Sequence, residues 1–368
     1  MSLSFHTIMK LGIIGLPSSG KTTIFNALTR GDAPTGQSMG GRFEVLTAVV
    51  DVRDQRVDRL SEIFKPEKTT YARITYTDVA GLKKGASQSG GMSPELLNHL
   101  AGLDGFVHVV RAFENEHHPH PDGQVDPARD LAEVDTEFLL NDLMIVERRL
   151  EKLREGLSKG AIKNKAEAQA EMALFEQLLE AVSAERPLRD LDLNEEQLKA
   201  LRGFGLLTLK PTVIIINIGD DQEEVQLDHQ HKQTVITNLR GKLEMELSQL
   251  GDDEDALALF MEEYNVTELS LDKVVRLSYD LMGLQSFFTV GEDEVRAWTL
   301  KRGAAALEAA ATIHTDLAKG FIRAETIHYD DLVALGSLPQ ARAAGKLRQE
   351  GKTYLVQDGD VINIKFNI

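Results

Sequence analysis

The sequence predicts an α/β fold: a mostly parallel sheet with helices on both faces, an antiparallel helical pair inserted into it, and a small separate unit at the C-terminus. Three observations carry that expectation. A short apolar run, "KLGIIG", passes through a glycine-rich turn into the helix-spaced "TTIFNALT". Apolar residues between Leu139 and Val182 recur at spacings of three and four. From Thr289 onward ten Lys and Arg stand against eleven Asp and Glu, whereas the whole chain carries a formal charge of −17, a shift that marks a domain boundary.

The first strand and helix frame "GLPSSGKTTIFNAL", in which Gly15, Gly20, Lys21 and Thr22 fill G-x-x-x-x-G-K-[ST] in the strand-to-helix context that a P-loop requires. The glycines let backbone N–H groups turn inward around phosphate, the Lys21 ammonium reaches the outer phosphates, and the Thr22 hydroxyl ligates Mg2+. Gly15, Pro17, Ser18, Ser19, Gly20, Lys21, Thr22 and Thr23 form the expected phosphate cradle. A plain glycine turn is the competing reading.

A second magnesium group is expected where another strand ends. In "YARITYTDVAGLKKGAS", Ile74, Tyr76 and Asp78 close an alternating run, which leaves Asp78 to hold Mg2+ through water, while Gly81 of D-x-x-G offers its N–H to a γ-phosphate. Leu82 stands where many switch GTPases carry a water-orienting glutamine, so hydrolysis needs a water-positioning group from elsewhere. A later strand, Val213 to Ile216 in "LKPTVIIINIGDD", ends in Asn217 and Asp220. The Asp220 carboxylate suits the N1 and N2 donors of guanine while Asn217 steadies the loops; a solvated turn of Asp220 and Asp221 is the alternative.

Leu139, Leu143, Val146, Leu150, Leu153 and Leu157 define one helical seam, and Ala168, Met172, Phe175, Leu179 and Val182 define a second. The turn of this pair falls near Ser158 to Ile162, which brings a basic island toward an exposed tip. Arg148, Arg149, Lys152, Arg154, Lys159, Lys163 and Lys165 stand there against Glu147, Glu151 and Glu155, either as an anion-binding surface or as a solvated face. In "KTYLVQDGDVINIKFNI" two short strands are expected across an Asp-Gly turn, with Tyr354, Val356, Val361, Ile364 and Phe366 in a core.

With 42% hydrophobic content over 368 residues the chain can bury two or three domain cores. The absence of cysteine excludes disulfides and thiolate metal sites, and no apolar run reaches the roughly 18 residues that cross a bilayer, so a cytoplasmic location is expected. The net negative charge excludes a general polyanion binder and leaves local basic patches as the route to nucleic acid. Met9 offers a second start, and the first eight residues are expected to be leader or cloning sequence outside the fold.

The phrases "GLPSSGKTTIFNALT", "TDVAGLKKGAS", "HVVRAFEN", "LTLKP", "FFTVGEDEVRAWTLKRG", "AATIHTDLAKGFIRAE" and "GKLRQEGKTYLVQDGDVINIKFNI" make the chain from Lys10 to Ile368 similar to the YchF family of Obg-like P-loop NTPases. The resemblance implies a P-loop G domain over 9–127 and 208–284, a helical coiled-coil insertion over 128–207, and a β-grasp TGS domain over 285–368. It also implies slow hydrolysis of nucleoside triphosphate with Mg2+, commonly ATP, and a ribosome or RNA partner met by the TGS domain and the basic helical tip. A monomer is expected.

Several positions depart from the family. Its adenine preference goes with Glu closing N-x-x-E, where this chain has Asp220; Ile218 replaces the lysine usual in GTPases, and Arg240-Gly241 replaces a small-residue base loop, so ATP and GTP both stand. Ser18 takes the place of a P-loop asparagine. Arg42 takes that of the switch threonine, with Thr35 and Thr47 out of register, and suits a charge-neutralising role at the γ-phosphate. His120 in "ENEHHPHPDGQVDP" matches the family's candidate catalytic histidine, completing with Lys21 and Gly81 the expected catalytic set. A metal site of His117, His118 and His120, or a solvated loop, are the alternatives. Ser18, Arg42 and Leu82 favour a second function class, a nucleotide-binding ribosome or RNA module without turnover; a small-molecule kinase fits the P-loop alone.

Overall fold

A computed structural model describes residues 9–31, 33, 45–82, 85, 92–250, 259 and 270–367. Its contacts group the chain into two compact units, one of Lys10–Ala48 with Tyr76–Val274 and one of Val49–Thr75 with Val275–Ile368. Residues 49–75, which the sequence assigns to the nucleotide-binding part, thus join the C-terminal residues.

Strands β1 (Lys10–Ile14), β2 (Val45–Val52), β4 (Ala72–Val79), β5 (Gly105–Arg111), β6 (Thr212–Asn217) and β7 (Thr234–Leu239) form a six-stranded sheet in the order β2-β4-β1-β5-β6-β7; β3 (Lys68–Thr70) belongs elsewhere. β1, β5, β6 and β7 run parallel, with Ile14 opposite His108 and Arg111 opposite Asn217. Every residue of β6 is buried, as a strand covered on both faces requires. From Ile74 to Val79 β4 is likewise buried on both sides, so the expected alternation along it is absent. Helices α1 (Lys21–Thr29), α2 (Gln55–Phe64) and α3 (Pro94–Ala101) follow β1, β2 and β4. The Lys210 ammonium donates to the Leu100 and Ala101 carbonyls, each at 2.7 Å, and to Leu103, placing a cation on the unsatisfied end of α3. Burial pushes Lys210 down to about 8.

Asp126 accepts from the Arg129 N–H, and Pro127 occupies the first turn of α4 (Pro127–Ser158). The connection Lys159–Asn164 turns the chain into α5 (Lys165–Ser183), capped by Asn164. Val146, Leu150 and Leu153 of the expected seam are buried on α4. On α5 the buried side chains are Ala168, Leu174, Phe175, Leu178, Ala181 and Val182, with Met172 and Leu179 only partly covered. The cause is a third layer: Leu188, Phe204, Leu206 and Leu201, which closes α6 (Glu195–Leu201), pack on the pair and widen its covered face beyond a two-stranded seam. The buried Asp142 carboxylate accepts from the Leu207 and Thr208 N–H groups at 2.8 Å each and from the Thr208 hydroxyl at 2.6 Å, fastening that layer to α4.

In the second unit the sheet order is β11-β10-β12-β8-β9-β3, with β8 (Leu284–Val290), β9 (Glu294–Lys301), β10 (Phe321–His328), β11 (Arg348–Glu350) and β12 (Asp360–Phe366). β8 and β9 are antiparallel, β12 runs parallel to β8 and antiparallel to β10, and helix Ala306–Ile313 covers a core of Phe287, Phe321, Ala324, Val356 and Ile362. This is the arrangement of a β-grasp sheet. The hairpin expected across the Asp-Gly turn does not form. β12 is drawn instead between β8 and β10, while the Asp358 carboxylate accepts from the Ser286 N–H and Arg56 and the Asp360 carboxylate accepts from the Gln357 N–H, closing the turn on itself. Val356, Val361 and Ile364 are buried as expected; Phe366, at the end of β12, is 45% exposed.

Asp142→Ala leaves two buried backbone N–H groups without acceptors and is expected to cost about 3 kcal/mol, read as a lowered urea midpoint with unchanged slope.

Candidate functional site

The P-loop runs from the end of β1 to the start of α1. Pro17 and Ser18 are exposed at its crest, Ser19 is buried beneath them with no partner for its hydroxyl among the described residues, and Lys21, Thr22 and Thr23 open α1 half-exposed. Gly20 has φ 93 and no side-chain cap closes the helix, so the first N–H groups of α1 are left for an anion. A Cβ on Gly20 would lie 2.2 Å from Asn217 Nδ2. The Lys21 ammonium donates to the Leu16 carbonyl at 2.8 Å; burial pushes it down to about 8, against the opposing pull of Asp78.

Asp78, the penultimate residue of β4, is 7% exposed. Its Oδ2 accepts from the Thr22 hydroxyl at 2.9 Å, and its Oδ1 is buried without a partner among the described residues. Burial raises its pKa, with Thr22 and Lys21 acting in the other direction. A buried carboxylate oxygen left unspent beside a helix-start hydroxyl is the donor chemistry a hard divalent cation takes, so these residues fit Mg2+. Gly81 lies exposed three residues past Asp78. Leu82 is 4% exposed in a core with Val79, Leu96, Leu103 and Phe106, and so has no access to a water at the phosphates. Thr47 lies on β2 with its hydroxyl 3.4 Å from that of Thr77; Thr35 and Arg42 lie outside the described residues.

Asn217 closes β6, and both ends of its amide are committed: Nδ2 donates to the Ser19 carbonyl, and Oδ1 accepts from the Gly241 N–H, both at 3.0 Å. It fastens the P-loop to the start of α7 (Gly241–Gln249), which follows β7. Asp220 accepts no hydrogen bond among the described residues and has the Lys242 ammonium 4.0 Å away. Arg240 donates through Nη2 to the Gln222 carbonyl at 3.4 Å with its Nε buried and unpaired, while the Gln222 side chain accepts from the Gly219 N–H at 3.0 Å. Gln222 and Lys242 were not legible as site residues, because their partners arise only when the loops after β6 and β7 meet.

His120 is 7% exposed. Its Nδ1 accepts from the Asp122 N–H at 3.1 Å, so the proton sits on Nε2, which donates to Asp130 Oδ2 at 2.8 Å. Arg129 holds the other Asp130 oxygen through Nε and Nη2, at 3.0 and 2.9 Å. His120 is therefore packed on the start of α4, and the solvated-loop reading fails for it. His117 and His118 instead give their backbone N–H groups to Asn115 Oδ1, and among the described residues no group of three or more His, Asp or Glu could hold a metal ion. Sequence reasoning also missed Arg111, at the end of β5, which donates to the carbonyls of Phe113, Ser18 and His118.

On the helical pair, Arg148, Lys152, Lys163 and Lys165 are exposed with no ion pair among the described residues, whereas Arg154 pairs with Glu176 at 3.3 Å and Lys159 with Glu155. Arg149 is tied bidentately to Glu171, both bonds at 2.7 Å, and lies 5.7 Å from the centre of the Phe204 ring, which makes it part of the packing rather than of a free basic face.

Phosphate restores the proton to Lys21, so triphosphate affinity is expected to be greatest below about pH 8 and to fall, by up to about tenfold per pH unit, as pH rises through that value. Lys21→Arg, charged throughout, flattens the profile. Calorimetry in buffers of unlike ionisation enthalpy reads both the affinity and the proton uptake.

A family model described as "50S ribosome-binding GTPase" matches residues 10–148, and the model YchF-GTPase_C, described as "Protein of unknown function (DUF933)", matches residues 284–367. The "Ribosome-binding ATPase YchF" of Bacillus subtilis is 38% identical over 97% of this chain and 99% of its own. That of Escherichia coli O157:H7 is 39% identical over 98% and 99%. The solved structure of the Schizosaccharomyces pombe YchF GTPase, 33% identical, superposes with a TM-score of 0.84 over 97% of this chain and 98% of that one. Identity sustained over both units, with the P-loop, Asp78 and Asn217 assembled as the fold requires, shows that the chain belongs to the YchF family.

Proposed function

We propose that this chain is a Mg2+-dependent switch that binds ATP or GTP, hydrolyses it slowly, and acts on the ribosome or an RNA. The observation that carries the reading is the Thr22–Asp78 pair beside Lys21, a cation site and a phosphate site on one sheet edge. Lys21 and the N–H groups of loop 15–20 would bind the outer phosphates, and Thr22 and Asp78 would hold Mg2+. Bound Mg2+ offsets the charge of the phosphate oxygens. The Gly81 N–H would be offered to the γ-phosphate. Asp220, Arg240 and Gly241 border the base, and Asn217 acts through the loops it joins.

The names of the relatives support ribosome binding and ATPase activity. For the partner surface we propose exposed Arg148, Lys152 and Lys163 with the paired Arg154 and Lys159, together with the TGS domain over 285–368; Arg149 contributes through Glu171 and Phe204. Such a surface acts locally in a chain of charge −17, which agrees with a partner met in one orientation. Among the described residues no helix is long and apolar enough to cross a membrane.

Two features favour a second reading, a nucleotide-binding module with little turnover. Leu82 is buried in a core, and both ring nitrogens of His120 are engaged. His120 serves as a water-positioning group only after leaving Asp130.

Calorimetry of nucleotide-free protein with non-hydrolysable ATP and GTP analogues in Mg2+ is expected to show binding that Lys21→Ala abolishes. Binding of neither analogue overturns the nucleotide reading. Phosphate release separates the two readings: turnover lost in His120→Ala with binding retained supports the switch, and release at background in the unsubstituted chain supports the module.

A further inference from the structure

We propose that Arg111 is a positioning residue that couples the P-loop to the segment carrying His120, so that nucleotide bound at Gly15–Thr22 sets where His120 is held. The inference rests on the nucleotide-binding function proposed above.

Arg111 is 2% exposed at the end of β5, the strand next to β1, which leads into the P-loop. Its guanidinium points three ways. Nη1 donates to the Ser18 carbonyl of the P-loop at 3.4 Å, while Nε and Nη2 donate to the Phe113 and His118 carbonyls at 3.1 and 2.7 Å. The guanidinium carbon lies 4.6 Å from the centre of the Phe113 ring. Two residues beyond the His118 carbonyl is His120, on Asp130.

Burying this cation is costly: desolvation lowers its pKa, the charges of Glu114 and Asp130 offset that only in part, and among the described residues no carboxylate bonds it directly. Three neutral carbonyls are poor compensation for a charge. Their arrangement does fix two separate backbone segments against one planar group, a use that the guanidinium fork serves and an ammonium cannot.

The P-loop end of this bridge is sensitive to phosphate. The Ser18 carbonyl and the Ser19 N–H belong to one planar peptide unit, held on one side by Arg111 and on the other by a 3.3 Å bond from Ser19 N–H to the Leu16 carbonyl. That Leu16 carbonyl is the one that accepts from Lys21. An anion drawing Lys21 and the Ser19 N–H inward rotates the peptide and changes the direction of the Ser18 carbonyl. Arg111 follows, and with it the 113–118 backbone.

Hydrogen exchange on the full chain tests this with Arg111→Lys. Without nucleotide, exchange in segments 15–20 and 112–120 is expected to rise together by about tenfold, while α4 and α5 are unchanged. With a non-hydrolysable triphosphate and Mg2+, the unsubstituted chain slows exchange in 112–120; Arg111→Lys binds the analogue but loses that slowing, and its kcat falls by about tenfold with KM little changed. Phe113→Leu, which removes the stacked ring and leaves the guanidinium, is expected to reproduce the effect in part if Arg111→Lys does not fold. A change confined to one segment, or slowing that survives the substitution, overturns the proposal. Failure of the unsubstituted chain to bind the analogue overturns the function itself and is read in the calorimetry, while the nucleotide-free comparison still decides whether the bridge exists.

Discussion

The Asn217 amide is the interaction on which the site depends. One side chain at the end of a buried strand satisfies a P-loop carbonyl and a backbone N–H at the start of α7, so the phosphate end and the base end of the site share a single fixed post. The post works because its neighbours have no side chains. A Cβ on Gly20 would lie 2.2 Å from the amide nitrogen, and one on Gly241 would lie 2.7 Å from the amide oxygen. Both glycines are therefore demanded by close approach as well as by phosphate, and the two loops cannot drift independently.

Other polar groups repeat this logic around it. Lys210 closes the end of α3, the helix that follows the D-x-x-G segment, and Asp142 fastens residues 207 and 208 to α4. Asp130 anchors His120 to the start of the same helix. Each is a buried or half-buried polar group whose partners lie across the fold, an arrangement that specifies one geometry more strongly than it adds stability. The helical pair is consequently fixed at its base to the elements that surround the nucleotide site, and its far end carries exposed basic side chains, Arg154 and Lys159 paired with glutamates.

What was legible in the sequence was local. The strand-turn-helix around Lys21 and the strand ending at Asn217 depend on residues close in sequence and stand where their patterns put them, and Asp78 lies at the end of a strand as expected although the alternation that pointed to it gives way to burial on both faces. The seam of α4 was legible because heptad spacing reports burial along one helix. That of α5 was misplaced toward Leu179 because a third layer, invisible to periodicity, pulled Leu174 and Leu178 inward. The Asp-Gly hairpin failed for a related reason: β8 and β10 offered β12 more pairing than its own preceding residues did. Arg111, Lys242 and Gln222 carried no signal, since an isolated arginine, lysine or glutamine has no spacing to betray a partner in another loop.

One pairing bears on how the chain is made. β3 runs beside β9, the Thr70 hydroxyl donates to a glutamate 224 residues later, and Arg56 meets Asp358 across 302 residues. Residues 55–70, which hold α2 and β3, emerge early in synthesis, and β3 has no sheet to join until the C-terminal strands follow, a wait of roughly 10 to 45 s at ordinary elongation rates. During that interval the apolar face of α2, with Val57 and Leu60, is left uncovered and open to misassociation. Truncated translation products that end before β9 leave β3 without its partner strand and the face of α2 that holds Val57 and Leu60 uncovered.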